Sequence, residues 1–275
     1  MPFKKKRPDY TRPLDRDRPA ILKLEAGLKN FVEGYLKKKG KVIAKQVVEL
    51  YTAIGKADTT DDDQADKLIS QVDIDFADLV PDLIDQLSGI AKEGVKAGAV
   101  QISLTETNAT NLANERAEEW AADRAAELVG MKWIDGELVV NPNAEWSIAE
   151  STRDMIYKDV EGAISDGWSN QKLRDSVIEN TGFSKERAMM IARTETAIAD
   201  TQGNKAAYLE AKGAGLDVKW QWMTAGDDLV SEECEMNDQA IAEIGEAFPS
   251  GATEPPQHPN CRCVCAPRVG SAVEE

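Results

Sequence analysis

Between Ala20 and about Gly55 the apolar positions Ile21, Leu22, Leu24, Leu28, Phe31, Val32, Tyr35, Leu36, Val42, Ile43, Val47, Val48, Leu50, Tyr51 and Ile54 recur mostly at intervals of three and four. That period predicts one long amphipathic helix, with Gly40 expected to break or kink it. Residues 57–63 read as an acidic loop in which Thr60 or Asp61 caps the next helix. That helix is expected to carry Leu68, Ile69, Val72, Ile74 and Phe76 and to restart near Pro81, a residue tolerated in a first turn. Ile102 to Val129 is a further helix, strongly charged, with Leu104, Leu112, Ala113, Trp120, Ala121 and Leu128 available for burial.

The pattern then changes. Asp135-Gly136 sits between short apolar pairs, the signature of a tight hairpin over residues 132–140. Trp146 to Trp168 is helical again, a shorter helix starts at Ser169 and ends at Thr181-Gly182, and Ser184 opens a long helix that runs to about Gly213. Lys219 to Thr224 is an aromatic strand, expected to pair with Cys263 to Arg268. The fold class is therefore mainly α, with long helices and a small α+β C-terminal module that contains a short β-sheet. Three regions follow: a flexible basic arm over 1–18, a helical region over 19–140 that ends in the hairpin, and a module over 141–275.

Charge changes the picture of the arm. The chain has 275 residues and a formal charge of −16, yet residues 1–46 hold 14 Lys/Arg against 5 Asp/Glu. An acidic body argues against broad wrapping by nucleic acid, because phosphate repulsion is long-range at low salt. The arm alone suits contact with DNA or with an acidic protein surface, and equally suits a solvated tail. No window approaches the roughly 18 consecutive apolar residues of a membrane span, and the basic start lacks the apolar core of a signal peptide. Synthesis in the cytoplasm is the expectation, with thiols initially reduced.

Candidate chemistry concentrates near the end of the chain. All four cysteines and the single histidine lie between Cys234 and Cys265. Cys234, His258, Cys261 and Cys263 are the residue types of a tetrahedral zinc site, although alternate strand positions lie about 7 Å apart and two of the thiols must lean together to share an ion. A cluster of buried thiols, or a disulfide of Cys234, satisfies the same residues. Glu195 falls on the apolar stripe of its helix, between Ile191 and Ile198, so it needs a partner. Arg262 or backbone amides of the C-terminal segment are expected to supply one. Asp227-Asp228 suits either a cation or a turn.

From Ser169 to Cys265 the order of pieces resembles the phage Mu F-like minor head protein family, the phage head morphogenesis proteins. The resemblance rests on the Gly-Trp-Ser start of a short helix, Thr181-Gly182-Phe183-Ser184, Arg187-Ala188 and Ile191-Ala192-Arg193-Thr194-Glu195. It continues through Trp220, Asp227-Asp228, Cys234, Pro255-Pro256 and His258-Pro259-Asn260-Cys261-Arg262-Cys263. Members of that family often carry a second cysteine three residues before the Cys234 position, where this chain has Ser231.

The resemblance implies a virion structural protein without enzymatic turnover, needed for head assembly and suited to a part in DNA packaging or delivery, associated with the portal vertex and the capsid interior and present in the host cytoplasm during assembly. Its partners would be the portal protein and the scaffold or major capsid protein, with DNA touched through the basic arm. Arg193, Thr194, Glu195, Asp227, Asp228, Pro259, Asn260 and Arg262 read as fold-defining anchors of the motif series. The rival reading is a metal-dependent hydrolase or nuclease that uses Glu195, His258 and the cysteines.

Overall fold

The computed structural model describes residues 18–54, 62–104, 107–228 and 230–270. It is mainly helical with two small antiparallel sheets, the fold class that the periodicity indicates. The acidic loop caps Thr60 and Asp61 and the arm before Arg18 lie outside the described residues. In chain order the elements are α1 (Pro19–Ile54), α2 (Asp62–Ile69), α3 (Val80–Gln101), α4 (Thr107–Leu128), β1 (Met131–Ile134) and β2 (Glu137–Val140). They continue with α5 (Ile148–Asp166), α6 (Asn170–Glu179), α7 (Lys185–Gly213), β3 (Val218–Met223), α8 (Glu232–Met236), β4 (Ile241–Ala242) and β5 (Val264–Val269). Among the described residues no helix is long and apolar enough to cross a membrane.

The chain forms two compact units, each assembled from separated stretches. One comprises Gly27–Leu83 and Asp123–Ala192. Its core takes Leu28, Val32, Leu36, Ile43 and Val47 from α1, all fully buried, which is the helical stripe of the sequence. Gly40 does not interrupt α1. A side chain there would stand 2.7 Å from the Phe183 ring, so the glycine makes room for an aromatic residue and leaves the helix continuous. The expected continuation of α2 through Phe76 also fails. Val72, Ile74 and Phe76 are buried, but on irregular chain whose polar groups are met locally: Asp73 N donates to Gln46 Oε1 at 3.0 Å and Ala77 N to Asp75 Oδ1 at 2.8 Å. Pro81 stands in the first turn of α3, as expected.

Caps in this unit follow sequence rules. The Ser147 and Ser169 hydroxyls accept from Glu150 N and Lys172 N at the starts of α5 and α6, and Gly167 closes α5 in the left-handed region at φ 63°. The Tyr51 hydroxyl lies 2.9 Å from Ala163 O and 3.1 Å from Trp168 O, joining α1 to the capped end of α5. Asp135 and Gly136 both take positive φ between β1 and β2, the geometry of the hairpin turn read from the sequence. At the start of α7, Arg187 is 8% exposed. Its guanidinium donates to Thr152 Oγ1, Gly182 O, Ile148 O and Ser151 Oγ at 2.6–3.1 Å, and burial lowers its pKa to about 10.

The other unit comprises Met1–Ala26, Ile84–Ala122 and Arg193–Glu275 in their described parts. In it α3 and α7 approach through glycine. A Cβ on Gly203 would overlap the Ala91 carbonyl, and one on Gly94 would stand 2.5 Å from Asp200 O. Only a residue without a side chain permits such a crossing. Ala109, Ala113, Ala117 and Ala121, spaced by four, form the buried face of α4 here, while Leu112 is 49% exposed and Trp120 half-buried. The helix itself starts at Thr107, since Ile102 to Leu104 form a turn after α3.

The three-stranded sheet has the order β4-β3-β5, all antiparallel. Lys219 faces Arg268 and Trp222 faces Cys265, which confirms the pairing expected from sequence. Trp220 and Trp222 are fully buried, and Trp222 packs edge-on against Phe248 with ring centroids 5.1 Å apart. Arg18 forms an ion pair with Asp200 and donates to Glu93 O at 3.3 Å. The sheet, the second part of α7 and the loops between β3 and β5 hold nearly all of the chain's candidate chemistry.

Candidate metal centre

The site is assembled by two short pieces of chain. Ser231 is the N-cap of α8, its hydroxyl accepting from Cys234 N at 3.3 Å, and this cap fixes where the first thiol stands. The second piece is the turn from His258 to Cys261. Asn260 takes φ 59°, a conformation that asparagine tolerates better than most residues, and Cys261 N donates to His258 O at 3.1 Å. The turn is docked onto α7 by Asn260 N, which donates to Thr194 Oγ1 at 3.1 Å. Arg262 follows with a two-pronged ion pair to Asp227, both N···O distances being 2.5 Å.

These anchors bring three ligand atoms together. Cys234 Sγ lies 3.3 Å from His258 Nε2 and 3.6 Å from Cys261 Sγ, and the three atoms all fall within 4.8 Å of one another. For a tetrahedral zinc with bonds of about 2.3 Å to sulfur and about 2.05 Å to nitrogen, the S···S edge is about 3.8 Å and the S···N edge about 3.5 Å. The observed separations are close to those edges. The imidazole is oriented from behind by a bond between Nδ1 and Pro259 O at 3.0 Å. A carbonyl accepts only, so Nδ1 carries the proton and Nε2 presents its lone pair to the thiols. Ser231 Oγ stands 3.2 Å from the same Nε2.

Cys263 is buried and neighbours the group, but it lies outside the three atoms that meet. Its bond with Cys261 and then burial push its pKa up, while the Trp222 indole acts in the opposite sense. Burial raises the Cys234 thiol as well, opposed by the Ser231 hydrogen bond. In the absence of an ion these thiols keep their protons and are poor nucleophiles. A divalent cation would displace those protons.

Other expected residues take structural places. Glu195 is buried at 2% exposure, as its position on the stripe requires, and it is absent from the lining of the recess around His258. Both terminal nitrogens of Arg262 go to Asp227, and the neighbouring Thr194 ties this part of α7 to the C-terminal segment through Asn260 N. Arg193 is exposed and pairs with Glu25 at 3.8 Å. Asp228 is exposed. Cys265 is buried in β5 opposite Trp222. The position of Ser231 beside His258 was not read from sequence, although a serine before Glu232-Glu233-Cys234 is a recognisable cap signal.

Residues 154–266 match the family model described as Phage Mu protein F like protein. The matched stretch contains Thr194, Asp227, Cys234, His258, Cys261 and Arg262, so every anchor and ligand of the site falls inside it. No curated protein and no solved structure matches the chain.

Proposed function

From the membership of residues 154–266 in the Phage Mu F-like family, we propose that this chain is a minor structural protein of a phage head, docked at the portal vertex and required for head morphogenesis. The observation that carries the reading is the use made of the family's motif residues. Thr194 holds the Asn260 turn and Asp227 holds Arg262. They act as anchors that shape a small module, the role expected of a part in an assembly. Residues 141–275 form the head-morphogenesis portion in this reading. The basic arm before Arg18 supplies a contact with DNA or with acidic surfaces of the portal, scaffold or major capsid protein.

The same reading gives the thiols and the imidazole a structural zinc, held by Cys234 Sγ, His258 Nε2 and Cys261 Sγ. Bound there, the ion would join α8 to the turn before β5, two stretches with little apolar surface of their own. A closed structural site takes four ligands, and Ser231 Oγ or Cys263 Sγ is the chain's candidate for the fourth. The hydrolase reading is less well supported, because Glu195 does not line the recess and, among the described residues, no complete set of nucleophile, base and charge-stabilising groups is assembled around His258.

The test is twofold. The purified protein should co-sediment with its phage's portal ring, and particles assembled without it should be defective in head formation or infectivity. Fully infectious particles lacking the protein would overturn the proposal, as would hydrolysis abolished by His258→Ala alone. Metal analysis of the reduced protein should find about one zinc per chain. Removal by chelator should lower the melting temperature of the module.

A further inference from the structure

Behind Cys234 runs a chain of polar side chains that no packing requirement explains. Asn237, the C-cap of α8, is fully buried. Its Oδ1 accepts from Ser250 N at 2.9 Å and its Nδ2 donates to Ser250 Oγ at 2.7 Å. The Ser250 hydroxyl donates to Gln257 Oε1 at 2.9 Å. Gln257 Nε2 then faces Cys234 Sγ at 3.3 Å.

The direction of this chain is fixed at its far end. Asn237 Oδ1 meets a backbone N–H, which can only donate, so the amide cannot be flipped and its NH2 group must face Ser250. Ser250 Oγ already accepts from Asn237 Nδ2, and also from Ala252 N at 3.3 Å, so its single proton goes forward to Gln257 Oε1. That sets the second amide in turn, and Gln257 presents N–H to the sulfur. A glutamine lying loosely against a cysteine would be free to offer either end. Here the sulfur is held opposite a donor, an arrangement that favours thiolate over thiol and offsets part of the charge that two thiolates bring to one ion.

We propose that Gln257 is a positioning residue for the metal centre, an outer donor to the Cys234 thiolate whose orientation is set by Asn237 through Ser250. The inference rests on the zinc reading above and adds what tunes the ion. Hydrogen bonds behind a ligand commonly change metal affinity by about 10- to 100-fold.

The experiment compares wild type, Gln257→Glu, Gln257→Met and Ser250→Ala. Each is titrated with zinc against a chromophoric chelator and with cobalt(II), whose thiolate-to-metal charge-transfer band reports electron density on sulfur. Gln257→Glu keeps the acceptor for Ser250 and replaces the donor that faces sulfur. It should weaken zinc by about 10- to 100-fold and move the cobalt band to lower energy. Gln257→Met should do the same, and Ser250→Ala should fall between these variants and wild type. Circular dichroism of the metal-free proteins should be unchanged, which separates a tuning role from a structural one. Wild-type zinc affinity and an unmoved band in both Gln257 variants would overturn the inference alone. Failure of the wild type to bind either metal would overturn the metal centre itself, and the inference with it.

Discussion

Asn260 N donates to Thr194 Oγ1 at 3.1 Å across 66 positions of sequence, so the loop that carries two of the three ligand atoms is docked onto a hydroxyl of α7. Thr194 is 5% exposed, while Asn260 stands at the surface, so the bond is partly buried. Thr194→Val, nearly isosteric, should cost about 0.5–1.5 kcal/mol of stability, the net contribution of a typical hydrogen bond. Thr194→Ser should retain most of it. Urea unfolding of both variants, followed by tryptophan fluorescence, measures the difference.

The closeness of Ser231 Oγ to His258 Nε2, 3.2 Å, leads to a second expectation. A thiol in place of this hydroxyl offers zinc a fourth strong ligand. Ser231→Cys should bind the metal at least tenfold more tightly, worth about 1.4 kcal/mol, as read by chelator competition. A loss of affinity would show that the hydroxyl serves only as the cap of α8.

Gly203 supplies a steric test. Because a Cβ there would overlap the backbone of Ala91, Gly203→Ala should destabilise the protein by about 2–3 kcal/mol through forced separation of α3 and α7. Gly34, also helical, has nothing within 4 Å of the same position. Gly34→Ala should stabilise by up to about 1 kcal/mol. Opposite shifts in melting temperature are the expected outcome.

Arg187 tests the value of a planar fork. Its acceptors are carbonyls and hydroxyls, spread over α5 and the turn before α7. A lysine ammonium cannot reach all four in that geometry. Arg187→Lys should therefore lose about 2–4 kcal/mol, close to the loss from Arg187→Met. Chemical denaturation of the two variants side by side provides the check.

Acid sensitivity should be traceable to Glu33. Hydrogen bonds from Lys29 and then Lys37 hold its pKa at about 2 against an ordinary 4.5. A carboxylate whose folded pKa is depressed contributes stability above its unfolded value, and that contribution is lost as pH falls through the folded one. Glu33→Gln should consequently flatten the decline of stability between about pH 4.5 and 2. Because Glu33 is only half-buried and its partner Lys37 is exposed, high salt should reduce the difference. Thermal melts across that range at two salt concentrations measure it.

Periodicity, caps and turn chemistry made the helices and the Asp135-Gly136 hairpin legible in advance, since each is written within a few neighbouring residues, and the β3–β5 pairing followed from two short β-prone segments that bracket one irregular loop. Gly40 and the chain after Ile69 were misread for a common reason. Whether a glycine breaks a helix or receives a ring depends on Phe183, more than 140 positions away, and whether Val72 to Phe76 coil depends on acceptors such as Gln46. At the site, Cys234, His258 and Cys261 were readable from residue type. That Thr194 would hold the Asn260 turn, and that Ser231 would face the imidazole, depends on rotations of single side chains that no period encodes.

The glycine crossing of α3 and α7 also imposes an order on the newborn chain. Ala91 leaves the ribosome about 110 residues ahead of Gly203, an interval of roughly 5–20 seconds at about 5–20 residues per second. Throughout it the small-residue face of α3 has been made and the helix that covers it has not. Nothing translated earlier can substitute, because a side chain cannot be accommodated where the two backbones meet. This face of α3 must therefore wait for α7, and the length of that wait is set by the translation rate, a clock external to the protein.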